Sequence, residues 1–400
     1  MNRQSHVNIG SWKVTVLRSI EDIKAVRPIW EQMQRNEPFA VPHADIDRYF
    51  SVLKACGDDA QPHIILIKQN SHPTTMVIGR VEKHPVKLKL GYKTLFKPKL
   101  RCLTVVYGGV LGQPTNEVCA VVIRELMNTL SRGEVDVVQF NHLRVDSPIY
   151  QFARKTPSVL SRGYFPKIDP HWKIVIPENM DEFLEACSKN RRRHLKRYIR
   201  KIEDQYPGRV KIVTYTSEDE LDEAIKAASY ISTKTYQYAL GTGFVDNFRT
   251  RTLLTVAARK NWLRLDILYI DDEPCAFRRA LKYGNTCFGQ QNSYSPAWKE
   301  YNIGTILFLR VLESLCRDPA IDFFDFGIGA GEHKRWGNNQ PWAETSVYIF
   351  APRLYPILIN ILQSSMMGLS LVLECILNKI GLTGWVKRRW RNLLQKRNTK

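Results

Sequence analysis

The chain reads as an α/β (α+β) protein of two units, each with a mixed, mainly antiparallel sheet flanked by helices, followed by a helical tail. Three observations carry that reading. Residues 281–326 run strand, glycine-bearing loop, buried helix, strand; the same order occurs once before residue 150; and after Phe350 the composition turns first uncharged, then basic. The expected boundaries are 1–175, 176–350 and 351–400.

In order, residues 12–17 alternate like a strand, and Ile23, Val26, Ile29, Trp30 and Met33 recur at helical spacing over 20–33. Residues 44–53 suit a second helix. Apolar runs at 64–67, 76–78 and 103–110, bounded by His, Pro, Gly and Lys clusters, read as strands joined by hairpin turns. A helix over 116–130 follows Gly112-Gln113-Pro114, and 135–140 is a strand, completing the first strand, glycine, helix, strand order. This is read as a degenerate copy of the later unit; a generic α/β domain without duplication satisfies the same order.

The second unit opens on a capping box, Asn179 with Glu182 three residues on. Residues 189–201 hold eight Lys or Arg and His194, while Leu195, Tyr198, Ile199 and Ile202 share a helical face, so the charges splay over the remaining surface. Such a face is either solvated or a surface for a polyanionic substrate or RNA. No aromatic platform is interleaved at single-strand spacing, which weighs against nucleic acid. A strand at 211–215 and a helix at 218–234 precede the turn 236–243, aromatic and glycine-rich, which lines an acceptor site or packs a corner. A helix at 253–259 and a strand at 263–270 follow, the latter turning at Asp271-Asp272 into 274–282.

The net charge, 59 Lys and Arg against 39 Asp and Glu, is +20 and implies acidic partners. The eight cysteines form no C-x-x-C pair and have no His at metal spacing, so no metal site is expected. Buried thiols and an N-terminus without an apolar signal core point to the cytoplasm. Residues 354–373 carry no charge but are interrupted by Pro356, Asn360, Gln363, Ser364 and Ser365; 386–400 are dense in Lys and Arg beside Trp385 and Trp390. A spanning helix needs about 20 apolar residues, which this stretch only marginally meets. An apolar stripe with a basic flank suits a peripheral helix on the anionic inner face of the cytoplasmic membrane. The other reading is a helical hairpin capping the second unit.

The functional signal concentrates in 281–336. Two strand-like runs meet at Gly284-Asn285, a pair tolerant of the positive φ that a tight hairpin wants. After a polar loop, Gly304 precedes a helix over 305–316 that is apolar nearly all round, leaving Arg310 and Glu313 exposed, and 321–326 is a short strand. A helix starting beside a glycine at a strand end presents backbone N–H groups to an anion, and a pyrophosphate fits there.

With Tyr294-Ser295-Pro296 before the loop, Tyr301-Asn302-Ile303-Gly304 at the helix start, Asp325-Phe326-Gly327 after the strand and then His333-Lys334-Arg335-Trp336, this unit resembles the GNAT superfamily of acyl-CoA N-acyltransferases. More narrowly it resembles the CelD-like branch associated with bacterial exopolysaccharide synthesis, and it is similar to FemAB-like aminoacyltransferases. Ser188-Lys189-Asn190-Arg191-Arg192 also fits. One departure is that Gly304 stands alone where the usual pyrophosphate loop has more glycines.

The resemblance implies acetyl-CoA or another acyl-CoA as co-substrate, held by Gln290, Tyr301, Asn302, Ile303, Gly304 and Thr305. The acceptor is an amine-bearing small molecule or glycan precursor, such as an amino sugar, met by Lys189, Arg192, Tyr238, Gln291, His333 and Trp336. A direct attack of the amine on the thioester needs a proton acceptor and donors for the acyl oxygen. Asp325 and Glu332 are the base candidates, a turn cap and a surface carboxylate being their alternative readings, and Lys334 stabilises charge on the acyl carbonyl.

Two other readings are FemAB-like transfer from charged tRNA, which the basic helix would serve, and a non-enzymatic, membrane-attached scaffold of polysaccharide synthesis. Asp325 to Gly331 also carries the Asp and alternate glycines of S-adenosylmethionine methyltransferases. The polar, proline-ended stretch 332–341 leaves too little chain for their sheet. A dinucleotide fingerprint fails because Glu332 stands where the third glycine belongs.

Overall fold

The computed structural model describes residues 5–381 apart from 10, 87, 91, 92, 165, 330, 337, 338 and 340; for 5–9, 93, 332 and 333 it describes the backbone alone. The basic stretch 386–400 lies outside the described residues. Two compact units form, one from Met1–Asp169 with Ala343–Thr383, the other from Pro170–Trp342. The expected boundaries at 175 and 350 therefore move. Val347, Ile349 and Ala351 belong to the hydrophobic core of the first unit, so the chain returns there before its tail begins.

In the first unit β1 (Ser5–Ile9), β2 (Trp12–Leu17), β3 (Ala60–Gln69), β4 (His72–Pro85), β7 (Lys99–Leu111) and β8 (Val137–Arg144) lie side by side in that order, and a small hairpin of β5 (Leu88–Leu90) and β6 (Lys93–Phe96) stands apart. Neighbours are antiparallel except β7 and β8, which are parallel. The helix expected over 20–33 is two, α1 (Ile20–Ala25) and α2 (Arg27–Arg35). Pro28 causes the break: it has no N–H to give, and its ring clashes with the preceding turn. Next come α3 (Ile46–Cys56), α4 (Asn116–Ser131), which crosses from β7 to β8, and α5 (Pro148–Lys155). Thr115 caps α4 by accepting from the Val118 amide.

The second unit orders its strands β9 (Asp169–Val175), β14 (Phe323–Ile328), β13 (Thr286–Tyr294), β12 (Glu273–Tyr283), β11 (Leu263–Ile270) and β10 (Val210–Tyr215). Again one pair, β13 with β14, is parallel, and the rest are antiparallel. Both units thus embed one parallel pair, bridged by a helix, in an otherwise antiparallel sheet. The two-residue turns fall at Asp271-Asp272 and Gly284-Asn285, as the sequence predicts. Asp271 and Asp272 both adopt positive φ (51° and 62°), the conformation that matches strand twist in a hairpin.

Helices α6 (Met180–Ala186), α7 (Lys189–Gln205), α8 (Leu221–Thr233), α9 (Tyr236–Ala239) and α10 (Phe248–Arg259) precede the bridging helix α11 (Ile303–Leu315). The Asn179 side chain caps α6 through the Glu182 amide (3.0 Å), while the Glu182 carboxylate reaches the Glu178 amide rather than that of Asn179. Eight residues of α11 are buried, from Ile303 to Leu315, as its all-round apolar sequence predicts. Truncating one of its leucines to Ala costs about 2–5 kcal/mol.

The strand β15 (Trp342–Phe350) runs antiparallel to β8, and α12 (Leu354–Lys379) follows. The tail helix belongs to the first unit and packs there. The Asn360 side-chain amide donates to the carbonyls of Leu160 (2.8 Å) and Arg162 (2.6 Å). Beyond Ser364 its apolar residues are largely exposed, Leu371, Val372 and Ile376 among them. By length and composition this helix is long and apolar enough to cross a membrane, with a mean hydropathy of 1.6 over its most apolar stretch.

One buried imidazole ties stability to pH. His63 on β3 is 2% exposed, and its Nε2 has no hydrogen-bond partner among the described residues. Burial, aided by the Arg18 and Arg132 charges against that of Glu134, lowers its pKa to about 4. The unfolded chain protonates this ring near pH 6.5 and the folded chain does not. Stability is therefore full above that pH and falls as acid is added down to about pH 4, by on the order of 3 kcal/mol. His63→Gln should flatten the fall of melting temperature between pH 7 and 4; an unchanged slope would assign the acid sensitivity to other groups.

Candidate functional site

The site expected from sequence is built where β13 and β14 separate. Their parallel pairing covers only Thr286 with Phe323, Cys287 with Phe324 and Phe288 with Asp325, although β13 runs on to Tyr294 and β14 to Ile328. Past that point β13 follows β12, and the register between them slips at Gln290, which becomes the extra residue of a bulge. A bulge turns the strand and re-aims its groups. Gly289 sits at the fork, where a Cβ would lie 3.1 Å from the Asp325 carbonyl oxygen and 3.3 Å from the Phe324 ring.

The start of α11 lies beyond the fork. Asn302 takes the left-handed conformation (φ 53°, ψ 39°) and provides no side-chain cap. Its carbonyl accepts from the amides of Thr305 (2.8 Å) and Ile306 (3.1 Å). The amides of Ile303 and Gly304 come before the first helical acceptor, so the backbone suits a pyrophosphate. Gly304 is half-buried, and a Cβ there would meet the Tyr294 ring at 3.2 Å. Packing against Tyr294 thus accounts for the glycine without a phosphate. Tyr301 belongs to an aromatic cluster with Tyr206 and Trp298, and Lys201 stands 4.4 Å over its ring. Its hydroxyl pKa is raised, first by its hydrogen bond with Tyr206.

At the end of β14, Asp325 is buried and both its oxygens lie 2.8 Å from His171 Nε2 on β9. Oδ1 also accepts the Gly327 amide (2.5 Å). The His171 ring stacks on Trp342 at 4.3 Å. Gly327 has φ +67°, a turn for which glycine is the undemanding residue, and the chain folds back so that the Lys334 ammonium donates to the carbonyls of Ile328 (2.7 Å) and Gly327 (3.2 Å). Trp336 packs into the core beside Phe308, and the Arg191 guanidinium lies 4.9 Å from its ring. Trp336, expected at the acceptor, is thus a core residue. Glu332 and His333 lie in the same short helical turn as Lys334, placed by backbone alone.

Of the residues expected at the acceptor, Gln291 donates to the Thr242 carbonyl (3.0 Å), which brings the turn of Tyr238 against the bulged strand. Arg192 is engaged locally: its guanidinium donates to the carbonyls of Leu184 (2.8 Å) and Glu185 (3.1 Å), near the end of α6. Lys189 is exposed on the first turn of α7.

Sequence reasoning passed over His171 and a row of buried charge. Asp266 receives both arms of Arg264 (2.9 and 3.0 Å) and the Thr214 hydroxyl (2.7 Å), and stands opposite Arg278 in the register. Arg278 is buried between Phe308 (4.9 Å) and Phe324 (5.5 Å), and burial pushes its pKa down to about 10 despite Asp266. A signal was present: Arg264 and Asp266 stand two apart, hence on one face, in an otherwise apolar strand.

The corresponding helix start in the first unit does not suit a pyrophosphate. Just before α4, the Glu37 carboxylate accepts the Gly112 amide (2.6 Å) and that of Gln113. Those amides belong to the loop, and the start of α4 itself is capped by the Thr115 hydroxyl. Burial raises the pKa of Glu37 against those two bonds.

Residues 189–335 match the acetyltransferase (GNAT) domain family. No curated protein matches the sequence. Among solved structures, FemX is similar over 84% of this chain and 98% of its own, with a TM-score of 0.55 and 10% identity. A tandem GNAT protein from the clavulanic acid biosynthesis pathway is similar over 85% and 99%, with a TM-score of 0.50 and 10% identity. At these identities the likeness is one of fold. The chain has the fold of a GNAT-type acyltransferase, and the match lies in the second unit.

The Asp325 contacts predict a structural cost. Asp325→Ala leaves the buried His171 ring and the Gly327 amide without their acceptor, a loss of about 1–3 kcal/mol. The melting temperature should fall by several degrees; no change would show that neither contact holds the end of β14.

Proposed function

We propose that the second unit is an N-acyltransferase of the CelD-like type that moves an acyl group from acetyl-CoA or another acyl-CoA to an amine, with an amino sugar or polysaccharide precursor as acceptor. The observation that carries this reading is the coincidence of the matched stretch, 189–335, with the bulged, forked strand pair and the uncapped start of α11. Amides at Ile303 and Gly304, beside Gln290, Tyr301, Asn302 and Thr305, would hold the pyrophosphate.

In this reading the neutral amine attacks the thioester carbonyl. A C–N bond forms, the C–S bond breaks, coenzyme A leaves as thiolate, and the proton lost by nitrogen passes through a base to that thiolate. Asp325 is engaged by His171 and the Gly327 amide, which leaves Glu332 as the base. Lys334, steadied by two carbonyls, faces the acyl oxygen, where one fixed donor supplies about 3 kcal/mol as negative charge develops. In this reading Gln291 and Tyr238, held together through the Thr242 carbonyl, would meet the acceptor. Lys334→Met keeps the aliphatic stem and removes the charge. Acetyl transfer to an amino-sugar panel should drop at least about a hundredfold, with coenzyme A affinity by calorimetry unchanged; full turnover would leave Lys334 a structural lysine.

A second reading, aminoacyl transfer from charged tRNA, is favoured by the basic face of α7, where Lys189, Arg193, Lys196, Arg197 and Arg200 line one surface. Strongly salt-dependent tRNA binding would support it over the first.

We also propose that the protein works at the inner face of the cytoplasmic membrane. The exposed apolar side chains of α12 lead into the basic residues Lys387, Arg388, Arg389 and Arg391, a pairing suited to an anionic leaflet. Co-sedimentation with phosphatidylserine vesicles at low salt should be lost when residues 382–400 are removed; retention in the shortened chain, or no binding by the full chain, argues against it.

A further inference from the structure

Strand β12 carries two neighbouring arginines, and the alternation of a strand sends them to opposite faces of the sheet. Arg278 lies on the α11 face, between Phe308 and Phe324 and opposite Asp266. Arg279 shares the other face with Phe277 and Leu281, where α8 and α10 pack. It has no counterpart to Asp266. Among the described residues its guanidinium makes no hydrogen bond and no ion pair; its Nε is buried without a partner, and it stands 5.8 Å from the Phe244 ring. Burial pulls its pKa down to about 10, with no carboxylate near enough to raise it. A guanidinium enclosed without an anion is unfavourable, and an oxyanion that reaches it offsets the penalty through charge-assisted bonds.

The surroundings set Arg279 beside the bulged strand. It stands opposite Gln291 in the register, and the Gln291 side chain holds the turn after α9 through the Thr242 carbonyl (3.0 Å). That turn packs closely on α8: a Cβ at Gly243 would lie 2.7 Å from both the Ser232 hydroxyl and the Tyr238 backbone. Two residues past Gln291 on the same face, Ser293 is buried and its hydroxyl has no hydrogen-bond partner; the hydroxyl of Ser232 has none either. One guanidinium and two hydroxyls are thus unengaged donors on this side of the sheet, among the described residues. Arg279 and Gln291 are half-buried and Tyr238 is 39% exposed, so a small solute can reach this end of the face. A planar fork of N–H groups matches the paired oxygens of a carboxylate or phosphate, and the +20 charge of the chain attracts such groups.

We infer that Arg279 is the anion-recognising residue of the acceptor site, and that the acceptor carries a carboxylate or phosphate in addition to its amine. This rests on the acyltransferase reading above and narrows its acceptor to an acidic amine. Arg279 binds and positions the acceptor; it takes no part in the proton transfer.

The test is calorimetry on the full chain without acyl donor, with glucosamine as the reference and glucosamine 6-phosphate and muramic acid as its acidic counterparts. At least one acid should bind about tenfold or more tighter than glucosamine, and which one does so distinguishes phosphate from carboxylate. Arg279→Met keeps the aliphatic stem and should erase that preference, with coenzyme A affinity unchanged. Arg279→Lys keeps the charge without the fork and should weaken the favoured acid by at least about threefold; it decides the matter if the first variant melts at a lower temperature. No binding of either acid, equal binding of all three sugars, or a preference that survives in a folded variant would overturn the inference. These outcomes are separate from the donor: failure of the wild-type chain to bind coenzyme A would count against the acyl-CoA reading alone.

Discussion

The constraint on which the second unit depends is the early end of pairing between β13 and β14. Once the strands separate after Phe288 and Asp325, the last residues of β14 lose their partner on the β13 edge and keep only β9 on the other. Buried amides and carbonyls must then find other partners. They find them in side chains: the Gly327 amide gives to Asp325, and the carbonyls of Gly327 and Ile328 take the Lys334 ammonium. The turn after β14 is therefore pinned by charge-assisted bonds. Lys334 is steadied there by two backbone carbonyls.

The two units resolve the same fork differently. In the second, the aromatic rings of Phe324, Phe326 and Trp336 close around Phe308 of the bridging helix. In the first, the bulge at 106–109 and the glycines within it hold the fork open, and a cavity results. The helix starts differ in the same sense. Glu37 supplies an internal anion before α4, while Asn302 leaves the start of α11 without a side-chain cap. A shared architecture thus carries two different helix starts, one with a side-chain cap and one without.

Buried charge is the unusual expense of the second sheet. Arg264, Asp266 and Arg278 lie inside, and an unpaired ion there would cost several kcal/mol. Asp266 offsets this by accepting from Arg264 and Thr214 at once, and the Arg278 guanidinium rests between two phenylalanine rings. Removing Asp266 would leave two arginines buried without their shared carboxylate, so this row is mutually dependent.

Much of the chain was legible in its sequence because periodicity and turn chemistry are local. The α/β class, the repeated strand, glycine, helix, strand order, the all-round apolar α11 and the hairpins at Asp271 and Gly284 follow from residues a few positions apart. The tertiary structure alone decided what depends on distant residues. Asp325 meets His171 from 154 positions away, Asn360 of the tail helix finds carbonyls 200 positions back, and strand 342–350 returns to complete the first unit's core. The two helix starts differ in part by a local rule, Thr115 capping α4 while Asn302 leaves α11 without a side-chain cap, and in part by distance, since Glu37 reaches Gly112 from 75 positions away. Local sequence sets conformational preference, whereas the partner of each buried polar group is chosen by packing across the whole unit.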